Sequence, residues 1–328
     1  MTRSVLLVGN FDGLHLGHQR LLEEARRLAA PHDARVVVVT FLEHPATVLR
    51  PDRAPPAVLH RDQREAALRA FGADRIEWLD PRDGVLQLTP ERFIESLVER
   101  HRPLAMVEGV NFRFGRKRAG DTETLRDLGR AMGFDVLALD LELVALRDKT
   151  LAPVSSSLIR WLIGHGRLAD VALCLDRPWP LRGVVGRGER RGRTLDAPTA
   201  NLDTAPQMLP ADGVYAGLAT IEPEPGGGGA AEPDRRLAAI SVGPRPTFDR
   251  PERTCEVFLL DYEGDLYGRT LTVEPTRWLR DQRRFPDAEA LKRQIGRDVG
   301  WVHQLARHDM LDPAALSIDP QHRAGWEV

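Results

Sequence analysis

Cysteine is nearly absent from this 328-residue chain. Only Cys174 and Cys255 occur, far apart, which excludes a disulfide framework and a cysteine-rich zinc site and fits a reducing compartment. Net charge is also lacking: 46 basic side chains stand against 48 acidic ones, leaving −2, so no global field draws the chain to nucleic acid and any basic patch acts locally. No apolar stretch approaches the roughly 18 residues of a membrane span, and no secretory apolar core follows the N-terminus, so the expected location is the cytoplasm. Nothing matches the GxxxxGK[ST] phosphate loop. What is present is the composition of a soluble globular protein, 42% apolar and 29% charged. The length exceeds one ordinary core and predicts two domains.

The first half alternates apolar runs with helical spacing. A strand over 5–8 precedes a helix over 19–30 that Pro31 stops, and four consecutive valines in 35–41 read as a strand buried on both faces. A helix over 61–71, a strand over 75–79, a helix opening at Thr89-Pro90-Glu91 and running to Arg100, strands over 104–107 and 136–139, and a helix over 121–132 between them complete the pattern. Alternation of this kind predicts a doubly wound parallel sheet whose ligand edge lies beyond the C-terminal ends of the strands.

The polar clusters fall at those ends. Val8-Gly9-Asn10-Phe11-Asp12-Gly13-Leu14-His15-Leu16-Gly17-His18 leads from strand through glycine-permitted turns into a helix start. A helix N-terminus offers unpaired N–H groups and a positive dipole end to phosphate, and His15 and His18, three apart, share one helix face. Surface histidines or two ligands of a zinc site are the alternatives; the preceding strand and the glycines favour phosphate. Thr40 to Pro45 follows the valine strand, and Asn111-Phe112-Arg113-Phe114-Gly115 follows the next. The latter either grips a planar ring or packs its aromatics inward. Arg116-Lys117-Arg118 is either a phosphate contact or a solvated charge run. Ser155-Ser156-Ser157 with Arg160 gathers hydroxyls, N–H groups and a guanidinium at one helix start, as a polyphosphate clamp would.

Character changes near residue 180, after a helix expected over 162–175 and the breaker Asp176-Arg177-Pro178-Trp179-Pro180. Short β-rich runs at 181–185, 214–221, 237–242, 255–260 and 266–273 predict a small closed or nearly closed barrel. The Pro225-Gly226-Gly227-Gly228-Gly229 tract reads as a hairpin tip, and 287–305 as a helix packed on the barrel; 306–328 is weakly patterned. Gly186, Gly188 and Gly192 give GxGxxxG, and without a following helix this is no dinucleotide fingerprint. Thr199 and Asn201, two apart on an extended segment, point to one side and could share Mg²⁺ with a nucleotide phosphate, or else form a turn with internal hydrogen bonds.

Taken in order, these motifs resemble the bacterial bifunctional riboflavin kinase/FAD synthetase family. Residues 9–18, 40–45, 111–115 and 155–160 resemble its HxGH-type nucleotidyltransferase half. The glycine-rich loop, Pro198-Thr199-Ala200-Asn201, and the stretches 213–217, 241–248, 255–268 and 279–285 resemble its riboflavin kinase module. The resemblance implies an α/β Rossmann-like FMN adenylyltransferase domain over 1–180 and a β-barrel riboflavin kinase domain with a packed helix and tail over 181–328. It implies that His15 and His18 hold ATP phosphates during attack by FMN, with Gly9, Phe11, Asp12, Gly17, Ser156, Ser157 and Arg160 in the same nucleotide site. In the kinase, Gly186, Gly188 and Gly192 would cradle phosphate, Thr199 and Asn201 would bind Mg²⁺, and Glu256 would be the base. Asn111, Arg280 and Phe285 would touch flavin. Expected ligands are ATP, riboflavin, FMN, FAD and Mg²⁺, with no nucleic acid or membrane partner; weak self-association is left open. The family pattern is broken at Asp196-Ala197, usually glycine-aromatic, at Phe258 for histidine, at Asp176 for glycine and at Arg284 for lysine. Asp196 motivates a single-activity adenylyltransferase with a degenerate barrel as one alternative; a non-catalytic nucleotide binder is the other.

Overall fold

The computed structural model describes residues 3–186, 199–223, 234–244 and 253–311. Two compact units emerge, one of residues 1–145 with 151–156 and one of 146–150 with 157–328. The helices that precede residue 180 therefore belong, past Ser156, to the unit that contains the barrel. Gly188, Gly192, Asp196, Ala197 and the tract 225–229 lie outside the described residues.

The first unit contains the expected parallel sheet. Strands β1 (Ser4–Val8), β2 (Arg35–Phe41), β3 (Arg75–Leu79), β4 (Pro103–Gly109) and β5 (Asp135–Leu139) lie in the order β3-β2-β1-β4-β5, all parallel. Val36 to Val39 are buried because β2 runs between β1 and β3 with helices on the faces. The helices α1 (Leu16–Ala29), α2 (Ala46–Leu49), α3 (Arg61–Ala70), α4 (Pro90–His101) and α5 (Thr122–Met132) connect them. Their ends follow local chemistry: Thr89 accepts the Arg92 N–H at the start of α4 with Pro90 in the first turn. Asp121 accepts from Glu123 and Thr124 at the start of α5, and Gly133 closes that helix at φ 82°. The core packs Leu6, Val8, Val37, Val39 and Met106 of the sheet against Phe93, Ile94, Leu97 and Leu125 of α4 and α5. The chain order reverses about β1, so a crevice opens between β1 and β4 at their C-terminal ends, where open α/β sheets bind ligands. A short hairpin, β6 (Leu143–Ala145) with β7 (Leu151–Pro153), was not legible in the sequence.

In the second unit the single helix expected over 162–175 is two, α6 (Ser156–Gly164) and α7 (Leu168–Leu175), because Gly166 turns the chain at φ 68°. Asp176 ends α7 at φ 56°, the left-handed conformation for which glycine is the usual residue and aspartate a tolerated one. The barrel closes through β8 (Leu181–Gly186), β9 (Ala200–Asp203), β10 (Gly213–Ile221), β11 (Asp234–Pro244), β12 (Arg253–Leu259) and β13 (Thr270–Arg280), in the order β10-β11-β12-β9-β8-β13. β9 is too short and polar to read as a strand from its own sequence. The strand expected over 266–273 is displaced to 270–280, since the preceding residues are spent on turns. Buried and half-buried positions alternate along β12, with Cys255, Val257 and Leu259 inside and Thr254, Glu256 and Phe258 outside. Helix α8 (Ala288–Arg307) covers the outer face through Val302, packed with Ala216 and Leu260.

A buried histidine and a half-buried glutamate pair away from the ligand edge. His101 Nε2 lies 2.8 Å from Glu77 Oε2, and Arg100 also pairs with Glu77. The His101 hydrogen bond, aided by the charges of Arg100 and Arg75, holds the Glu77 carboxyl below its ordinary range. The folded chain then binds that proton less tightly than the unfolded one. The resulting stability is present in full above the ordinary carboxylate pKa and is lost as pH falls through the lowered value. Urea titrations of Glu77→Gln and the parent should accordingly show the variant less stable at neutral pH and the gap closing as the pH falls below the ordinary carboxylate range. A gap that widened on acidification would contradict the pairing.

Candidate active sites

The first site is built on the turn between β1 and α1. Phe11 at φ 43° and Leu14 at φ 47° are both left-handed and buried, 1% and 0% exposed, so this turn stores strain that its surroundings must hold. Asp12 does much of the holding. Its carboxylate, 3% exposed, accepts the Val58 N–H at 3.0 and 3.1 Å and the Leu59 N–H at 3.2 Å. Its carbonyl accepts the Ser156 hydroxyl at 2.7 Å. Asp12 thus faces into the fold and fixes the turn.

His15 is the N-cap of α1, and its side chain makes no capping hydrogen bond; no acidic residue occupies the first turn. The His15 and His18 rings stack at 3.7 Å between centroids and 21° between planes. Phe11, expected among the nucleotide contacts, buttresses His18 from within at 4.9 Å. A Cβ at Gly17 would crowd this stack, standing 3.3 Å from His15 Cε1 and Nδ1. Gly9 is similarly crowded, 3.1 Å from Phe11 Cε2. Two imidazoles and the N-terminus of a 14-residue helix therefore lie together at the end of the central strand. That arrangement suits a phosphate chain. The zinc alternative lacks ligands, since among the described residues no group of three or more His, Cys, Asp or Glu could hold a metal.

Residues from the other strand ends frame the same edge. Thr40, fully buried, donates its hydroxyl to the Asn10 carbonyl at 3.1 Å. His44 Nδ1 accepts the Ala46 N–H at 3.0 Å and organises the turn after β2. In the loop after β4 the aromatics pack inward, Phe112 stacking on Phe114 at 5.2 Å and Phe114 lying near Phe93, so they do not present a ring-gripping face. Asn111 and Arg113 remain exposed there, as do Arg116, Lys117 and Arg118. Ser157 is exposed and Arg160 half-buried on α6, past the point where the first unit ends.

Glu108 was not singled out in the sequence. It is 2% exposed and its Oε1 accepts the Val8 N–H at 2.7 Å, filling the gap where β4 diverges from β1. Burial pushes its carboxyl well above the ordinary range. A lone glutamate in the otherwise apolar run Pro103–Gly109 was the available signal.

The second site lies on the outer face of the barrel. Ser241 pairs with Glu256, Glu256 with Asn201 and Asn201 with Gly186, so one cross-strand row runs over β11, β12, β9 and β8. Directly opposed residues in such a ladder have Cβ atoms within about 5.5 Å. Thr199, two before Asn201, continues the same face by alternation. Arg253, three residues before Glu256, pairs with Asp212 at 2.7 Å. Arg280 is committed to Asp298 of α8 through Nε at 3.0 and 3.1 Å and Nη2 at 2.7 Å. It flanks Phe285 at 5.7 Å, with Arg283 at 5.3 Å. Between them, Gln282 Nε2 donates to Ser241 Oγ at 3.0 Å, which joins this loop to the row.

Comparison with known proteins gives concordant results. The family model described as FAD synthetase matches residues 1–151, and that described as riboflavin kinase matches 175–306. The bifunctional riboflavin kinase/FMN adenylyltransferase of Escherichia coli K12 is 31% identical over 90% of each chain. That of Pseudomonas fluorescens is 33% identical over 92% of this chain and 93% of its own. A Streptococcus pneumoniae crystal structure, described as a macrolide-efflux protein, superposes with a TM-score of 0.78 at 30% identity, covering 92% of this chain and 94% of its own. Among the described residues no helix is long and apolar enough to cross a membrane. With both modules matched in order and such relatives spanning nine-tenths of its length, the chain belongs to the family of bifunctional riboflavin kinase/FMN adenylyltransferases, transferases of FAD biosynthesis.

Proposed function

We propose that the two family activities are divided along this chain at its two sites, with riboflavin phosphorylated on the barrel and FMN adenylylated at the end of β1. The observation that carries the first assignment is the stacked pair His15 and His18 at the N-terminus of α1. There an FMN phosphate oxygen attacks the α-phosphorus of ATP as the bond to pyrophosphate breaks. The protein contributes position and charge: helix N–H groups and imidazole N–H groups donate to phosphate oxygens as negative charge shifts onto the leaving group. Gly9 and Gly17 leave room for the Phe11 and His15 rings, while Phe11, Asp12 and Ser156 hold the turn. Asn111 serves the flavin or nucleotide by family resemblance.

For the kinase, the row Ser241–Glu256–Asn201–Gly186 supports the roles assigned to Glu256 and Asn201. The Glu256 carboxylate takes the proton of the ribityl hydroxyl as that oxygen bonds to the γ-phosphorus and ADP leaves. Thr199 hydroxyl and Asn201 amide oxygens, beside a carboxylate, are hard oxygen donors and fit Mg²⁺. The chemistry such an ion supplies is neutralisation of phosphate charge, shared with the nucleotide. Gly186 opens the glycine-rich loop. Arg280 acts on the flavin indirectly, by fixing the loop that contains Phe285.

Both thiols are free and buried, and burial pushes each up to about 12, as suits a cytoplasmic protein with no redox role for cysteine.

Two substitutions separate the sites. His18→Ala should lower FMN-to-FAD turnover about 10²- to 10³-fold and leave riboflavin phosphorylation within about twofold of the parent. Glu256→Gln should do the reverse, reducing FMN formation about 10²- to 10⁴-fold while supplied FMN is still converted. Parallel loss of both activities in either variant, with the fold intact by circular dichroism, would overturn the division.

A further inference from the structure

Arg64, on α3, belongs to no motif of the sequence, yet it is among the most deeply placed charges in the first unit at 6% exposure. Its guanidinium reaches the ends of two strands at once. Nη1 donates to the Asn10 carbonyl at 3.2 Å, and Nη2 donates to the carbonyls of Phe41 and of Leu42, the latter at 3.1 Å. The cation also lies over the Trp78 ring at 4.6 Å, which fixes its plane. Burial lowers its pKa to about 10, with Asp12 acting in the opposite sense, so the group stays charged at neutral pH.

The geometry of the peptide unit gives these contacts a consequence. In a trans peptide the carbonyl and the next N–H point in opposite directions. The Asn10 carbonyl is held by Arg64 and by Thr40 together, so the Phe11 N–H is turned away from both. Phe11 is the residue strained at φ 43°. The same guanidinium anchors the start of the Leu42 to His44 turn. An arginine fits this place because its planar fork donates to several carbonyls in fixed directions, whereas a lysine offers one point of charge.

We propose that Arg64 is a positioning residue for adenylyl transfer, locking the loops after β1 and β2 so that the β1–α1 turn presents its N–H groups and stacked histidines to the nucleotide phosphates. This rests on the assignment of FMN adenylylation to that turn.

The test compares Arg64→Lys, Arg64→Met and Thr40→Val in the full chain, measuring kcat and KM for FMN-to-FAD conversion, riboflavin phosphorylation in the same preparations, and ATP affinity by calorimetry. Arg64→Met should lower FMN-to-FAD kcat about 10- to 100-fold with a smaller change in KM, since a displacement of about 1 Å in a positioning group costs that much. Arg64→Lys should recover part of the loss, and Thr40→Val, which frees the same carbonyl on its other side, should show a milder loss of the same kind. Riboflavin phosphorylation should stay within about twofold throughout. A kcat within about twofold of the parent in a folded Arg64→Met, or an equal fall in both activities with Lys no better than Met, would overturn the proposal. If Arg64→Met fails to fold, Thr40→Val and Arg64→Lys decide it on the same criteria. If the parent chain itself makes no FAD from FMN, the assignment of the turn fails. ATP affinity then still decides whether Arg64 positions the phosphate loop: an unchanged affinity in Arg64→Lys and Thr40→Val overturns the proposal, and weakened binding in both supports it.

Discussion

The constraint on which the first unit depends is the turn that takes the chain from the central strand into α1. Two bulky residues, Phe11 and Leu14, occupy left-handed backbone within four residues of each other, at a cost of roughly 1–3 kcal/mol each. The turn survives because its polar groups are held from every side: the Asp12 carboxylate by the amides of Val58 and Leu59, the Asp12 carbonyl by Ser156, the Asn10 carbonyl by Thr40 and Arg64, and the Val8 amide by Glu108. The bonds to the Asp12 carboxylate and from the Arg64 guanidinium are charge-assisted and contribute about 1.5–3 kcal/mol apiece, the neutral ones about 0.5–1.5, together enough to offset the strain. The result is a helix start whose N–H groups and imidazoles are set before any ligand arrives. Preorganised donors of that sort stabilise a transition state without reorganising during the reaction.

The barrel reaches preorganisation by another route. Strand register alone aligns Ser241, Glu256, Asn201 and Gly186 across four strands. A slip of one residue in any of those pairings would send Glu256 or Asn201 to the barrel interior, where Cys255, Val257 and Leu202 lie. Glu256 and Asn201 are therefore tied to the same apolar packing that closes the barrel. Arg280, Gln282 and Phe285 extend that order to a loop that has no regular structure of its own, through Asp298 on one side and Ser241 on the other.

Much of this was legible in the sequence where the signal was local. The valine run, the Thr-Pro-Glu helix start and the strand-helix alternation specify the parallel sheet, and the alternating β-rich runs specify the barrel. The motif residues fell at the strand ends because polar clusters in such a fold have few other places to go. What escaped was set by distant partners. The Phe11 ring packs beneath His18, and the Asp12 carboxylate binds amides more than forty residues away, neither of which the motif indicates. Arg64 and Glu108 were not singled out, because their partners are backbone groups and nothing in sequence marks a carbonyl or an N–H as needing one. The split between α6 and α7 was missed although Gly164 and Gly166 lie within the expected helix, since glycine inside a helical pattern is often tolerated. β9 was missed because four residues show no period.

The central claim is that one chain performs both transfers in sequence. The most direct measurement is the time course of flavins when the purified protein is given riboflavin, ATP and Mg²⁺ and the products are separated by chromatography. The account predicts that FMN rises first and then declines as FAD accumulates, with ADP formed in the first phase and pyrophosphate in the second. Unchanged riboflavin beside FAD formed only from supplied FMN would contradict it, and would leave the barrel without its assigned chemistry.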